Sequence, residues 1–174
     1  MRTHSTSLLA LAAIGVLLAG FALTVDYPRE AGTFWSDAAT YYTMAHSIAE
    51  DGDLRFTRED IERVFLEFEN GPSGIFLKRG QELDLTFVTT IPFLVSQGPL
   101  TEDLYFAKAF VYSLTAAPLV VLFGTNGLLL LHAVLSTTVL VTGYFFLATF
   151  LSRRTAIGVT FTFFCASVAP AYFF

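Results

Sequence analysis

The stretch LLALAAIGVLLAGFALTV, residues 8–25, decides the class of fold, because it carries no charged side chain along its whole length. At about 1.5 Å per residue, a helix of this length nearly matches the hydrocarbon core of a bilayer, which is about 30 Å thick. The rest of the chain agrees with this interpretation, since 54% of its 174 residues are hydrophobic and its mean hydropathy is +0.61. The sequence therefore predicts an integral membrane protein.

Two interpretations of this first apolar run stay open. It resembles a cleaved signal peptide, because Arg2 precedes it in a short N-terminal segment. We favour an uncleaved membrane anchor, because the run is longer than the apolar part of most signal peptides. The segment DYPRE, residues 26–30, also offers no small-x-small cleavage site.

The acidic residues are confined to one part of the chain. All 15 acidic residues lie between Asp26 and Asp103 together with six basic ones, which gives this segment a formal charge of −9. The positive-inside rule keeps Arg2 in the cytoplasm, so the acidic segment is expected to lie outside. An acidic, aromatic-rich chain without a basic patch argues against nucleic acid as a partner. Its single cysteine, Cys165, excludes an internal disulfide.

Two helices are expected at the start of the outer segment. Ser36 is suited to cap a helix that runs from Asp37 to about Glu50. Thr57 followed by Asp60 resembles a capping box at the start of a second helix. Acids and arginines alternate around this second helix, which predicts ion pairs at the surface.

A small hairpin is expected further along the outer segment. Lys78-Arg79-Gly80 resembles a turn, and the apolar residues on either side of it, 75–77 and 83–87, are suited to pair as strands.

The run YFAKAFVYSLTAAPLVVLF, residues 105–123, has two interpretations. As a spanning helix it returns the chain to the cytoplasm and leaves Arg153 and Arg154 outside. As a juxtamembrane or half-inserted helix it stays on the outer side, and the two arginines then lie in the cytoplasm. The positive-inside rule favours the second interpretation. The composition of the run also favours the juxtamembrane interpretation, because Lys108 is an ionisable residue among apolar ones.

The fold class expected is therefore an all-α polytopic membrane protein with an outer loop that contains juxtamembrane helices. The chain is expected to be an N-terminal fragment, because the last run reaches Phe174 without a polar tail. The segments are a cytoplasmic N-terminus at 1–7, a first span at 8–25, an outer loop at 26–104, the ambiguous helix at 105–123, a second span at 127–151 and a truncated third span at 155–174.

This order of parts resembles a known family. A short N-terminus and one span are followed by an acid in SDAATYY, residues 36–42, and by the run 105–135, which leads into a span that ends at Arg153-Arg154. The arrangement is similar to the N-terminal part of the GT-C glycosyltransferases that use polyprenyl-phosphate sugars. It is similar in particular to the protein mannosyltransferases and to the aminoarabinose transferase of lipid A.

The resemblance implies roles for particular residues. In that family an acid in the first outer loop is essential for transfer, and Asp37 matches its position, although Ala38 stands where a second acid is usual. Lys108 matches the lysine of a Lys-Pro-Pro-Leu element whose prolines this chain lacks. The expected catalytic residue is Asp37, and the expected substrate-binding residues are Lys108, Tyr41, Tyr42, Lys78 and Arg79.

Each role has a structural alternative. Asp37 is also typical of an acid that starts a helix, Lys108 of a lysine that snorkels to the interface, and Tyr41 and Tyr42 of an aromatic belt. Lys78 and Arg79 are also typical of a solvated turn.

The function that the resemblance implies is inverting transfer of a sugar from a polyprenyl-phosphate donor to a lipid, protein or glycan acceptor. The location expected is the outer face of the plasma (inner) membrane, in a multi-pass protein. The carboxylate is expected to take the acceptor's proton or to coordinate a divalent cation, so the cofactor is left unassigned. The alternative is a non-catalytic transport or assembly subunit with an acidic docking loop.

Overall fold

The computed structural model describes residues 3–26, 30, 34–68, 71–81, 86–87, 94–95 and 99–167. The chain divides into two compact units, which we name the helical unit (Met1–Glu30 with Leu119–Phe174) and the mixed unit (Ala31–Pro118). The elements in chain order are α1 Thr3–Thr24, α2 Ser36–Glu50, β1 Arg55–Phe56, α3 Arg58–Glu67, β2 Leu77–Gln81, β3 Thr86–Phe87, β4 Leu94–Val95, β5 Leu100–Phe106, α4 Phe110–Phe123, α5 Asn126–Leu147 and α6 Arg153–Ala166.

The helical unit packs α5 against both α1 and α6. Small residues allow the close approach of α1 and α5, since Ala22 and Ala133 are both buried in their contact. Gly15 lies about two helical turns before Ala22 on α1 and also faces α5. A Cβ added to it would lie 2.8 Å from the Cγ2 atom of Thr137. A second cluster joins α1, α5 and α6 through Leu11, Leu140, Tyr144 and Ala156.

Two helices of this unit are long and apolar enough to cross a membrane. They are Thr6–Thr24 and Asn126–Leu147, with 11% and 22% of their residues buried within the protein. Large apolar side chains are exposed on both, for example Leu17 at 72% and Phe146 at 64%. Helices are thus found where residues 8–25 and 127–151 predict them, although the second ends four residues earlier than expected.

The third predicted span begins close to its expected start. Helix α6 is 14 residues long, and Ser152 caps it by accepting a hydrogen bond from the Thr155 N–H. At about 1.5 Å per residue it is about 21 Å long. The predicted continuation to Phe174 lies outside the described residues from position 168 onward.

The mixed unit begins with the two predicted helices. The capping box of α3 is confirmed, since the Thr57 N–H donates to Asp60 Oδ2 at 2.7 Å. Helix α2 is also confirmed, but the capping role predicted for Ser36 is wrong. The residue at the N-cap is Trp35, and the Ser36 N–H instead donates to the Ser73 carbonyl at 2.9 Å.

An antiparallel sheet with the order β1-β5-β2 follows these helices. Helix predominates in the described chain, as predicted, but the sheet makes the all-α description incomplete. The predicted hairpin turn is wrong, because Lys78 and Arg79 lie inside β2 and pair with Tyr105 and Leu104. The physical reason is that the backbone of β2 pairs with β5, which lies far along the chain, so Lys78 and Arg79 stay extended. Of the second expected strand, 83–87, only the last two residues are described, and they pair with β4.

The ambiguous run at 105–123 is a helix only from Phe110 onward. Tyr105 and Phe106 still belong to β5, so the helix begins five residues later than expected. Helix α4 has 14 residues and a length of about 21 Å, which is shorter than the hydrocarbon core of about 30 Å. Its path relative to a membrane stays a prediction.

Candidate functional site

The structure brings the predicted catalytic acid and the predicted cation into direct contact. Lys108 Nζ lies 2.7 Å from Asp37 Oδ1, although the two residues are 71 positions apart in the chain. The side chain of Asp37 is 57% exposed and that of Lys108 is 26% exposed. The ion pair therefore lies at the surface of the mixed unit, where a ligand can reach it.

Phe76 supplies the third contact of this pair. Lys108 Nζ lies 4.0 Å from the centre of the Phe76 ring, which is within the range of a cation–π interaction. The carboxylate and the aromatic face are thus two separate partners of one ammonium group. Phe76 was not among the residues predicted from the sequence, where it belonged to an apolar strand.

The backbone of Phe76 explains why these side chains meet. Its N–H donates to Thr40 Oγ1 at 3.1 Å, and Thr40 lies one helical turn after Asp37. Its carbonyl accepts a hydrogen bond of 2.8 Å from the N–H of Ala107, the residue directly before Lys108. One residue therefore connects the start of α2 to the loop that carries Lys108.

The residue before the acid has an uncommon backbone conformation. Ser36 has φ of 61°, and it is the only residue other than glycine with a positive φ among those described. Such a conformation costs about 1–3 kcal/mol and persists only where surrounding contacts hold it. The hydrogen bond from Ser36 to Ser73 is such a contact, and Ser73 in turn donates to Phe34. The entry to α2, and with it the direction of Asp37, is fixed by these bonds.

Tyr41 lies beside the ion pair on α2, where its ring packs on that of Tyr112 with their centres 4.9 Å apart. The Ser113 hydroxyl donates to the Tyr41 carbonyl at 2.9 Å, which ties α2 to α4. Tyr41 is only partly buried, so one side of its ring stays available. This is consistent with the predicted contact to a substrate, which stays a prediction.

Tyr42 has a different position. It is fully buried, its ring packs on Phe34 and Phe68, and its hydroxyl donates to Glu67. Burial and the neighbouring carboxylate of Glu67 raise the pKa of Tyr42 well above its ordinary value. A side chain without exposed surface cannot stack on a sugar, so we no longer count Tyr42 among the substrate-binding residues.

Lys78 and Arg79 are both exposed on β2. Neighbouring residues of a strand point to opposite faces, so the two cannot both serve one site on a single face. Lys78 lies two residues after Phe76, which makes it the better of the two candidates for the site at Asp37. Neither residue forms an ion pair within the part of the chain that the structure describes.

A polar network joins α2 to α3, and the ion pairs of its arginine are those that the sequence predicted at the surface of the second helix. His46 is 7% exposed, and its Nδ1 lies 3.1 Å from Glu50 Oε1. Its Nε2 lies 3.6 Å from Glu67 Oε1. Arg63 continues the network, with Nε 3.2 Å from Glu50 and both terminal nitrogens donating to Asp51 at 2.7 Å. His46 thus contacts Glu67 of α3, whereas Asp37 contacts Lys108.

The pKa values of two aspartates that contact Arg63, Asp51 and Asp60, are shifted in opposite directions. Hydrogen bonds from Arg63 lower the pKa of Asp51. Asp60 is fully buried, and burial raises its pKa in spite of the lowering effect of its hydrogen bonds with Thr57. Asp51 therefore joins the end of α2 to Arg63 of α3, whereas Asp60 forms the capping box at the start of α3.

The candidate site offers no set of metal ligands. Among the described residues, no group of three or more His, Cys, Asp or Glu side chains converges. At Asp37 the position of a cation is already taken by the ammonium of Lys108. We therefore derive no step through a metal.

Comparison with known proteins identifies no relative. No family model matches this chain, and neither a curated protein nor a solved structure matches it.

Proposed function

We propose that this chain is part of a membrane glycosyltransferase that moves a sugar from a polyprenyl-phosphate donor to an acceptor hydroxyl. The observation that carries the proposal is the contact between Asp37 and Lys108. The resemblance assigned the two residues to the two halves of one reaction, and they are neighbours in space.

The reaction needs a proton acceptor for the hydroxyl and a cation for the departing phosphate, and Asp37 and Lys108 supply these two groups. The acceptor oxygen attacks the anomeric carbon, and the bond from that carbon to the phosphate oxygen breaks with inversion. The phosphate departs with the bonding electron pair, and Asp37 accepts the proton of the acceptor hydroxyl. Lys108 compensates the negative charge on the phosphate. Tyr41 and Lys78 are the neighbouring residues available to orient the sugar or the phosphate.

A membrane location supports a donor with a polyprenyl chain. The exposed apolar faces of α1 and α5 are costly in water, at about 25 cal/mol for each Å² of apolar surface, and favourable in lipid. We propose a multi-pass protein of the plasma (inner) membrane, with the mixed unit on the outer side as the positive-inside rule predicts.

The test is sugar transfer by the protein reconstituted in phosphatidylcholine vesicles, with a panel of dolichyl- and undecaprenyl-phosphate sugars as donors. Asp37→Asn removes the proton acceptor while keeping the size of the side chain. We expect it to lower the transfer rate about 10²-fold or more, the typical contribution of a general base. Glu62→Gln is the matched control, because it removes the same charge from an exposed position on α3. Transfer by Asp37→Asn at the rate of the control would show that Asp37 is not the base. Absence of transfer by the unmodified protein with every donor would refute the proposed function and favour the non-catalytic docking subunit.

A further inference from the structure

The two partners of Lys108 differ in charge and in how well water can take the place of the contact. The Phe76 ring is uncharged and 43% exposed, and its backbone is hydrogen-bonded on both sides, to Thr40 and to Ala107. The Asp37 carboxylate is 57% exposed, and Lys108 is the only residue with which it pairs in the described part of the chain. Water can therefore replace Lys108 at the carboxylate at little cost.

We infer that Phe76 is a positioning residue that holds Lys108 in place while an anionic phosphate group replaces Asp37 as its partner. This inference rests on the proposed function and adds to it an order of events. Binding of the phosphate separates the ion pair, and Asp37 then has no cation to occupy its oxygens. The carboxylate becomes free to accept a proton only when the donor is in place.

The energies of the two contacts favour such an exchange. An ion pair as exposed as this one contributes between 0 and about 1 kcal/mol, so a ligand has little to overcome. A phosphate ester carries one or two negative charges on several oxygens, and it competes for the ammonium better than a single carboxylate does. Two anions on one ammonium repel each other, so the weaker partner leaves.

Phe76 acts through preorganisation. A lysine has many rotamers, and a lysine that must be ordered on binding weakens the complex. A ring face within 4.0 Å of Nζ keeps the ammonium near the site before and after the exchange. Replacement of the ring is therefore expected to weaken anion binding even though the ring does not contact the anion.

The experiment is calorimetric titration of the detergent-solubilised protein with farnesyl phosphate. Farnesol and inorganic phosphate are titrated in parallel to separate the contribution of the lipid chain from that of a free anion. Asp37→Asn is expected to tighten binding of farnesyl phosphate about two- to fivefold, because it removes the competing carboxylate. Lys108→Met is expected to abolish the difference between farnesyl phosphate and farnesol. Phe76→Leu is expected to weaken binding about two- to tenfold.

Three controls separate positioning from a general loss of structure. Phe76→Trp restores an aromatic face and is expected to restore affinity. Phe76→Leu is expected to have no further effect once Lys108 is methionine. Glu62→Gln removes a negative charge elsewhere in the mixed unit and is expected to leave affinity unchanged.

Two results would overturn the inference. One is an affinity of Asp37→Asn equal to or weaker than that of the unmodified protein. The other is an equal loss from Phe76→Leu with and without Lys108. These outcomes are independent of the transfer assay: a protein that binds as expected but transfers no sugar would refute the proposed function and leave the exchange of partners standing.

Discussion

Replacing Tyr42 by phenylalanine removes one hydroxyl from the core of the mixed unit and changes nothing else in the shape of the side chain. The ring is fully buried and keeps its contacts with Phe34 and Phe68 in this variant. What is lost is the hydrogen bond from the hydroxyl to Glu67, which joins α2 to the end of α3. The variant therefore measures the contribution of that single bond.

The expected magnitude follows from the surroundings of Glu67. A hydrogen bond to a charged group contributes about 1.5–3 kcal/mol. Glu67 is 39% exposed and can bind water once Tyr42 no longer donates to it. The loss should lie at the low end of that range, at about 1.5 kcal/mol. Tyr42→Ala also leaves a cavity and should cost about 3–5 kcal/mol.

Hydrogen–deuterium exchange of the whole protein in detergent is the assay, read from peptides that cover α2 and α3. A loss of about 1.5 kcal/mol makes amides that exchange by opening of this junction exchange about tenfold faster. Tyr41→Phe is the matched control, because it removes a hydroxyl for which the described structure shows no hydrogen bond. Equal exchange in the two variants would refute the reasoning.

Two further predictions concern the stability of each unit. Arg63 lowers the pKa of Asp51 below its ordinary value of 3.8, so their contact stabilises the mixed unit above that pH and is lost as the pH falls through the lowered pKa. Hydrogen–deuterium exchange at pH 5 should therefore show that the amides of α2 and α3 are less protected in Asp51→Asn than in the unmodified protein. This difference in protection should shrink as the pH is lowered to 3. A difference that stays constant over this range would contradict the prediction. In the helical unit, Gly15→Val forces a side chain against Thr137 and should cost about 1–3 kcal/mol. Thermal denaturation in detergent should show this as a lower midpoint, whereas Gly20→Val, where the space beside Cα is open, should not shift it.

The roles that the sequence predicted correctly are those set by local patterns. Helix α3 begins directly after Thr57, as predicted, because a capping box needs only residues that are close in the chain. The roles that were wrong depend on distant partners. Ser36 does not cap α2, because its bond to Ser73 helps to place it at the first helical position, and Trp35 before it is the N-cap. Lys78 and Arg79 do not form a turn, because β5 pairs with them from more than 20 residues away.

The candidate site shows the same division. Asp37 and Lys108 were predicted one by one, each from its position in a pattern of neighbouring residues. The sequence did not predict that Phe76 lies on Lys108, since that contact depends on two backbone hydrogen bonds between distant segments. Nor did it predict that Tyr42 is buried while Tyr41 beside it is partly exposed.

The sequence by itself determined that two long apolar helices exist and that all the acidic residues lie in the chain between them, because hydropathy and charge are properties of single residues and short runs. It also determined the two helices at the start of the mixed unit. Only the tertiary structure decided which side chains meet. The distance of 2.7 Å between Asp37 and Lys108 arises from the pairing of β2 with β5 and from the backbone of Phe76, which are contacts between residues far apart in the chain.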